Sequence, residues 1–367
     1  MSSSVPLWHG IFCMRWGILG TNRIIRKGVL VIKPSTAVKA DPFPAELIQN
    51  RLRQLTRTGN PKVDRIMAYL LEESGKMLRP RLVYHAAAIN PHDPIVVRDI
   101  AVAVELIHLA SLVHDDVIDS AHLRRGRESL NARFGNHASV LAGDYLFAAA
   151  FNIINRHQQN QVMENITHTI QVMCSGEIMQ MGQAYNLNIG LEEYYDKIYR
   201  KTACLFASSC KIGSLISQAG PEQTRQLEQF GLCLGYAYQI IDDVMDLVAD
   251  SAILGKPVGN DITQGNITLP VILALQKEGC AERIKALLER RSSIAASLGA
   301  IINMLIESGS IAEAIEHATD FLERGQEHLA GLPEGENLEI LKRTCMSFID
   351  HYRPVLGRYH PLMERQA

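Results

Sequence analysis

Two short runs of carboxylates, far apart in the chain, set the chemical problem. Asp115, Asp116 and Asp119 close the stretch ELIHLASLVHDDVID (105–119), and Asp242, Asp243 and Asp246 close QIIDDVMD (239–246). On a helix, residues i and i+4 stack on one face and i+1 lies about 100° round from i. Each D-D-x-x-D triplet therefore projects its carboxylates from a single turn. Like charges so close repel, and an apolar core cannot hold them unpaired. Hard divalent cations resolve the conflict, because Mg²⁺ takes oxygen ligands and completes its shell with water and phosphate. One such triplet is equally well an acidic face in solvent. Two copies, each in an apolar helix with few other charges, point to acids facing an internal cleft.

The first helix face extends that cleft. At about 100° per residue, Glu105, His108, Ser111, Asp115, Asp116 and Asp119 fall within one arc of about 140°. Leu106, Leu109, Val113 and Val117 take the rest of the surface. Gly235, Gln239, Asp242 and Asp246 repeat the design at spacings of four, three and four. Cations gather around the acids: Lys76 and Arg79 in GKMLRP, the run Arg124-Arg125-Gly126-Arg127, Lys201-Thr202, and Lys256 ahead of the 259–265 loop. Taken singly each is an ordinary solvated charge, Lys76 and Arg127 above all. Together they compose one site, with metal held by acid and diphosphate oxygens shared between metal, Lys and Arg. His108, two turns before Asp115 on the same face, reads as a substrate ligand in preference to a core histidine. Met173, Met179 and Met181 read as packing.

Helices must position all of this. Apolar residues recur at helical spacing over 44–55, 61–74, 79–90, 94–119, 141–156, 161–181, 191–217, 224–248 and 268–277, and amphipathic helix continues over 283–353, ending in one from about 337 to 351. Gly and Pro pairs punctuate them, and 29–32 is the one strand-like run. The spacing predicts an all-α, single-domain helical bundle around a central cleft. With 367 residues and 47% hydrophobic content the chain is long enough for a large core. A net charge of −2 gives no field favouring nucleic acid, so no nucleic-acid partner is expected. Seven cysteines without CxxC spacing read as free thiols of a reducing compartment. No uninterrupted apolar run reaches about eighteen residues. Residues 1–40 carry six basic side chains and no acid, and are set apart as a basic leader ahead of a 41–367 helical domain. Such a leader suits a mitochondrial transit peptide. Its weak amphipathicity favours instead an upstream extension of a bacterial cytoplasmic enzyme.

The motifs, in order, are GKMLRP, ELIHLASLVHDDVID, LRRGRES, AGDYLFA, GEIMQ, KTACL, YQIIDDVMD, LGKPVGND and GNITLP, with 127 residues from Asp115 to Asp242. This series over about 44–350 resembles the trans-isoprenyl diphosphate synthases, the polyprenyl synthetase family, and GNITLP is similar to the catalytic subunits of bacterial heptaprenyl diphosphate synthases. The resemblance implies the isoprenoid synthase fold and an alkyl-transfer reaction in which an allylic diphosphate ionises and isopentenyl diphosphate attacks the cation. It implies Mg²⁺, about three ions per site. Asp115 and Asp119 would hold metal from one wall and Asp242 from the other, with Asp116, Asp243 and Asp246 ligating or ordering water. Arg124, Lys201 and Lys256 would grip the allylic diphosphate, with Thr202 and Gln239 near the developing cation. Lys76, Arg79, His108 and Arg125 would form a metal-free isopentenyl diphosphate site. Three departures stand out: Ser74 for a glycine, Glu128 for a proline, and Asn266 where lysine is frequent. The last removes a cation from the allylic site.

Product length is read from the residues one turn before the first triplet. Ala110 and Ser111 are small, so the floor under the growing chain is open, and each helical turn adds about 5.4 Å. Ala103 and Ile107 lie deeper, 148–151 with Ile154 are expected to face them, and Phe151 is the expected stop. The expectation is an all-trans product of about C30 to C40, a quinone side-chain precursor that is handed to a membrane. A homodimer, or a heterodimer with a small unlike subunit, is expected. The alternatives are a short-chain farnesyl or geranylgeranyl diphosphate synthase, a non-catalytic subunit, a terpene cyclase and a metal phosphohydrolase. Two complete triplets speak against the subunit, the second cationic set against the cyclase, and the shortage of His-Asp pairs against the hydrolase.

Overall fold

The two triplet-bearing helices are the axes about which the apolar residues gather. In the computed structural model, which describes residues 41–72, 75–249 and 258–360, the chain from Pro42 onward forms one compact unit. Its first half comprises α1 (Ala45–Thr56), α2 (Pro61–Leu71), α3 (Leu78–Ala87), α4 (Pro94–Ile118), α5 (Leu130–Phe134), α6 (Asn136–Arg156) and α7 (Asn160–Gln180). The second half holds α8 (Leu191–Ile198), α9 (Cys204–Ile216), α10 (Pro221–Val248), α11 (Asn260–Thr263), α12 (Leu269–Leu275), α13 (Ala281–Glu289), α14 (Ile294–Glu307), α15 (Ser310–His328) and α16 (Glu336–Leu356). One hydrophobic cluster surrounds α4, with α6 against it; the other surrounds α10, with α9 and α15 against it. The all-α bundle expected from the periodicity is the fold of this chain.

Local chemistry explains the long axes. Asp93 caps α4 by accepting the N–H groups of Ile95 and Val96, and Pro94 occupies the first helical position, where a missing N–H costs nothing. Along α4 the run from Ile100 to Ile107 is fully buried but for Glu105. The helix ends at Asp119, after which Ser120 takes a left-handed φ of 50°. Residues 221–248 of α10 likewise start on a proline and carry Phe230, Leu234, Ala237, Ile240, Ile241 and Val244 into the second cluster.

Three expectations need correction. Residues 191–217 are one helix by periodicity, yet a π turn at Tyr199–Ala203 divides them into α8 and α9. Residues 29–32 are the one strand-like run by sequence, yet the run RRGR forms a hairpin, β1 (Leu123–Arg124) against β2 (Arg127–Glu128). Arg125 and Gly126 turn it with φ of 51° and 79°, the left-handed pair that a two-residue hairpin demands. Helix α6 is long and apolar enough to cross a membrane by composition, although no unbroken apolar run was found; it packs Ala142, Leu146, Ala150, Ile153 and Ile154 into the first cluster as a bundle helix does. Ala148, expected to face the growing chain, is exposed, because the inward residues of α6 lie on its other side. The basic leader, the strand-like run, Ser74 and Lys256 lie outside the described residues. Among the described residues Cys174, Cys204, Cys210, Cys233, Cys280 and Cys345 are free thiols.

Helices α3 and α9 join the two clusters at a close crossing. A Cβ built on Gly213 would lie 2.5 Å from the carbonyl oxygen of Val83 and 2.7 Å from Ala86 Cβ. Backbone cannot yield there as a side chain would. Gly213→Ala is therefore expected to destabilise the fold by about 1–3 kcal/mol through overpacking, read as a lower midpoint in chemical denaturation. An unchanged midpoint would show that the crossing is looser than drawn.

Candidate active site

The last turn of α4 delivers the first triplet with its members in different settings. Asp115 is half-buried, Asp116 is buried and Asp119 is exposed. Burial, reinforced by Glu177 and Asp119 and only partly offset by Lys201, pushes the Asp115 carboxyl up to about 6. Asp116 turns inward, where its Oδ2 accepts a 2.6 Å hydrogen bond from Arg124 Nε. Arg124 is thus tied to the triplet it follows. Asn131 donates to the Asp116 and Ala121 carbonyls and so ties α5 to the end of α4.

Three turns below Asp119 the same face changes sign. Arg79 Nη1 lies 3.0 Å from His108 Nε2, and its guanidinium sits 4.7 Å from the centre of the Phe206 ring. Burial lowers the His108 pKa well below the usual histidine value, and Arg79, Arg125 and Arg124 lower it further. The neutral ring accepts from Arg79 and carries its proton on Nδ1. Glu105, one turn deeper, is pushed up to about 6 by burial against the pull of Arg79 and Arg125. Arg79 Nε and Glu105 Oε2 are buried without a hydrogen-bond partner. Arg125 lies over the GKMLRP turn, so close that a Cβ on Gly75 would fall 2.7 Å from its Nη2. Lys76 reaches toward the last helix, its Nζ 5.4 Å from the Tyr352 ring. The four cationic-site residues named from sequence therefore gather at one end of α3.

The π turn brings the second wall in. Such turns insert one residue into the ladder and re-aim the side chains they carry, here Lys201 and Thr202. Burial works against the Lys201 ammonium, yet Glu177, Asp115, Asp119 and Asp261 together hold its pKa above the usual lysine value. Its Nζ is 3.6 Å from Glu177 Oε1. Thr202 Oγ1 donates to Gln239 Oε1 at 2.6 Å, and Gln239 Nε2 donates to Asp243 Oδ1 at 2.8 Å. Tyr194 donates its hydroxyl to Asp243 Oδ2, also at 2.8 Å. Burial and the nearby Asp261 push Asp243 up to about 7, against Gln239, Lys197 and Tyr194. Asp242 is exposed, and its charge is felt by Tyr238 and Tyr352.

Matches to known proteins now bear on this geometry. A sequence model described as polyprenyl synthetase matches residues 60–305. The chain belongs to the polyprenyl synthetase family. Heptaprenyl diphosphate synthase component 2 of Bacillus subtilis is 34% identical over 79% of this chain and 83% of that protein. A short chain isoprenyl diphosphate synthase of Methanothermobacter thermautotrophicus is 32% identical over 81% of this chain and 93% of that one. Among solved structures, heptaprenyl diphosphate synthase from Staphylococcus aureus superposes with a TM-score of 0.78 at 31% identity, covering 82% of this chain and 95% of that chain. The fold is accordingly that of the isoprenoid synthases, and the chain is a prenyl-transferring enzyme of the polyprenyl diphosphate synthase type.

Within this synthase two expected metal ligands hold other tasks. Asp246 is buried, and its Oδ2 accepts the backbone N–H of Asp261 at 3.1 Å, fastening the loop after α10. Asp116 is ion-paired to Arg124, so Arg124 is not presented to a diphosphate on its own. Arg127 leaves the site altogether, pairing with Glu72 at 2.6 Å. Tyr194, Lys197, Glu177, Asp261 and Tyr352 were not singled out from the sequence. Glu177 and Asp261 sit inside GEIMQ and GND and carried that signal; Tyr194, Lys197 and Tyr352 look like ordinary amphipathic-helix residues until the fold brings them in.

A stability test follows from the raised carboxyls. In the metal-free protein Asp115 and Glu105 at about 6, and Asp243 at about 7, exceed their unfolded values near 4. Acids with raised folded pKa values add stability that is complete below the unfolded value and lost as pH rises through the folded one. Between about pH 4 and 7 the melting temperature of the metal-free Asp243→Asn variant is expected to fall less, or climb more, than that of the wild type, the neutral buried His108 contributing equally to both. Parallel pH profiles for the two proteins over that window contradict the assignment.

Proposed function

We propose that this synthase elongates an allylic diphosphate with successive isopentenyl diphosphates, in a Mg²⁺-dependent reaction, to an all-trans product of about C30 to C40. The observation that carries the reading is Lys201, whose charge is shared by Asp115 and Asp119 of α4, Glu177 of α7 and Asp261 of α11, the last tied to Asp246 of α10. Acids of both walls converge on the space a diphosphate would fill.

The residues fit divalent metal. Among the described residues no three His, Cys, Asp or Glu side chains form a ready-made cage. Mg²⁺ takes one or two carboxylates and draws its remaining ligands from water and substrate phosphate, and Asp115 is half-buried while Asp119 and Asp242 are exposed. Asp115 and Asp119 on one wall and Asp242 on the other are the donors. When bound, the ions supply positive charge to the leaving diphosphate oxygens. Lys201 adds its ammonium to the same oxygens, and Thr202 and Gln239 fix that lysine's segment against Asp243. Lys256 lies outside the described residues and is proposed for the same diphosphate.

Isopentenyl diphosphate is assigned to Arg79, Arg125, His108 and Lys76, where no carboxylate triplet intervenes. A neutral His108 is the useful form there, because it orients Arg79 by accepting from it while leaving the guanidinium charge for phosphate. As the allylic C–O bond breaks, negative charge collects on the departing diphosphate and is stabilised by groups already in place. The isopentenyl double bond attacks the allylic cation, and the adduct passes a proton to the departing diphosphate, which restores an allylic double bond. No covalent nucleophile takes part.

The long-chain reading rests on small residues beneath the first triplet. Ala110 is fully buried and Ser111 half-buried, its Oγ donating to the His108 carbonyl. Phe151 stacks on Phe147, centroids 6.3 Å apart, and is the proposed stop. A short-chain product is the second reading, favoured by the identity to the archaeal short-chain relative. A homodimer is proposed from the exposed Val140 and Leu141 on α6, 42% and 67% accessible; an unlike small subunit fits the same face. Purified enzyme with Mg²⁺, farnesyl diphosphate and excess labelled isopentenyl diphosphate is expected to give products of about C30 to C40. Ser111→Phe is expected to shorten them toward C15 or C20 with turnover retained, since one aromatic occupies about one helical turn of depth. A wild type that stops at C15 or C20 refutes the long-chain reading and leaves the transferase standing.

A further inference from the structure

Lys197, on α8, is a half-buried lysine with an unusual seat. Its Nζ donates to Asn266 Oδ1 at 2.7 Å and to the Ile267 carbonyl at 3.1 Å, both neutral acceptors from the far side of the α11 loop. Beyond them it faces the carboxylates of Asp243 and Asp261, which counter the effect of its burial. It also lies 5.6 Å from the centre of the Tyr194 ring, the ring whose hydroxyl holds Asp243. Asn266 is itself tied back, its N–H donating to the Asp261 carbonyl at 2.8 Å, while the Asp261 N–H reaches Asp246. The loop that carries Asp261 is thus strung between Lys197 at one end and Asp246 at the other.

A half-buried ammonium loses part of its hydration, which two neutral acceptors only partly repay. Burial lowers the Lys197 pKa, and the Asp243 and Asp261 carboxylates pull the other way. The residue it touches, Asn266, is neutral, so the cation at this place comes from Lys197, within hydrogen-bond distance of 266. We propose that Lys197 is a positioning residue of the allylic-diphosphate site, supplying from α8 the positive charge beneath Asp243 and Asp261 that residue 266 does not carry. The inference rests on the two-wall reading above. Lys197 acts through the loop and the second triplet; it does not touch the reacting atoms.

Charge relocation tests this. Lys197→Met is expected to weaken binding of inorganic pyrophosphate in the presence of Mg²⁺, read by calorimetry, by about tenfold, the scale of one partly screened charge at short range. The KM for farnesyl diphosphate should rise in parallel, with that for isopentenyl diphosphate unchanged. Adding Asn266→Lys to Lys197→Met puts an ammonium back into the same space and should recover most of the loss. Lys197→Gln keeps a hydrogen-bond donor and drops only the charge, so it guards against a methionine variant that folds poorly; it too should lose binding. Wild-type pyrophosphate affinity in Lys197→Gln, or equal shifts in both KM values, overturns the proposal. So does a double variant that melts like the wild type yet binds no better than Lys197→Met. Wild-type enzyme that binds no pyrophosphate with Mg²⁺ is a different result: it removes the two-wall reading, and this inference with it.

Discussion

Carboxylates drawn into apolar surroundings at the ends of two buried helices set the electrostatics of this structure. Helices α4 and α10 are each the axis of a hydrophobic cluster, and each ends its buried run in aspartates. Apolar burial fixes where the helices lie, and that in turn fixes where the acids must go. Asp115 lies among Asp119 and Glu177, and Asp243 beside Asp261, so nearby cations ease the arrangement. The protein provides some of them: Arg124 to Asp116, Lys201 among Asp115, Asp119 and Glu177, Lys197 beside Asp243 and Asp261. The remaining deficit is expressed as carboxyls that hold their protons well above the usual range, and it is the deficit that divalent metal would fill.

Separation of the two phosphate sites has the same origin. On the α4 face, the acidic turn and the Arg79–His108 contact lie a few turns apart, and burial together with the surrounding arginines keeps His108 neutral. On the proposed reading, one end of the groove would accept phosphate by way of metal and the other by guanidinium. The π turn at Tyr199–Ala203 matters equally. A continuous helix from α8 into α9 would carry Lys201 and Thr202 at ordinary helical angles. The inserted residue lets Thr202 meet Gln239 while Lys201 reaches the opposite wall.

Much of this was legible in the amino-acid sequence, for identifiable reasons. Helices spoke through periodicity, and the triplets through the implausibility of three acids on one apolar turn. Arg79 and His108, read as members of one site, do touch. Where reading failed, the missing information was tertiary or conformational. Asp116 and Asp246 have the same spacing as their neighbours, yet face inward to Arg124 and to a backbone N–H. A π turn leaves no mark on hydrophobic spacing, and the RRGR hairpin depends on Arg125 accepting a left-handed φ that sequence does not advertise. Tyr194 and Lys197 acquire meaning only when α8 is laid against the loop after α10. Tyr352 does so when the last helix returns to Lys76.

The central claim is that Asp115 and Asp242, 127 positions apart in sequence, act on one diphosphate. Its most direct measurement is the turnover of Asp242→Ala with saturating Mg²⁺, farnesyl diphosphate and isopentenyl diphosphate, in protein shown to melt no lower than the wild type. Electrostatic stabilisation of a leaving group is worth about 3 kcal/mol per donor, and losing a metal ligand costs more. The account predicts a fall of at least a thousandfold, matched by Asp115→Ala. Turnover within about tenfold of wild type in either variant would contradict it.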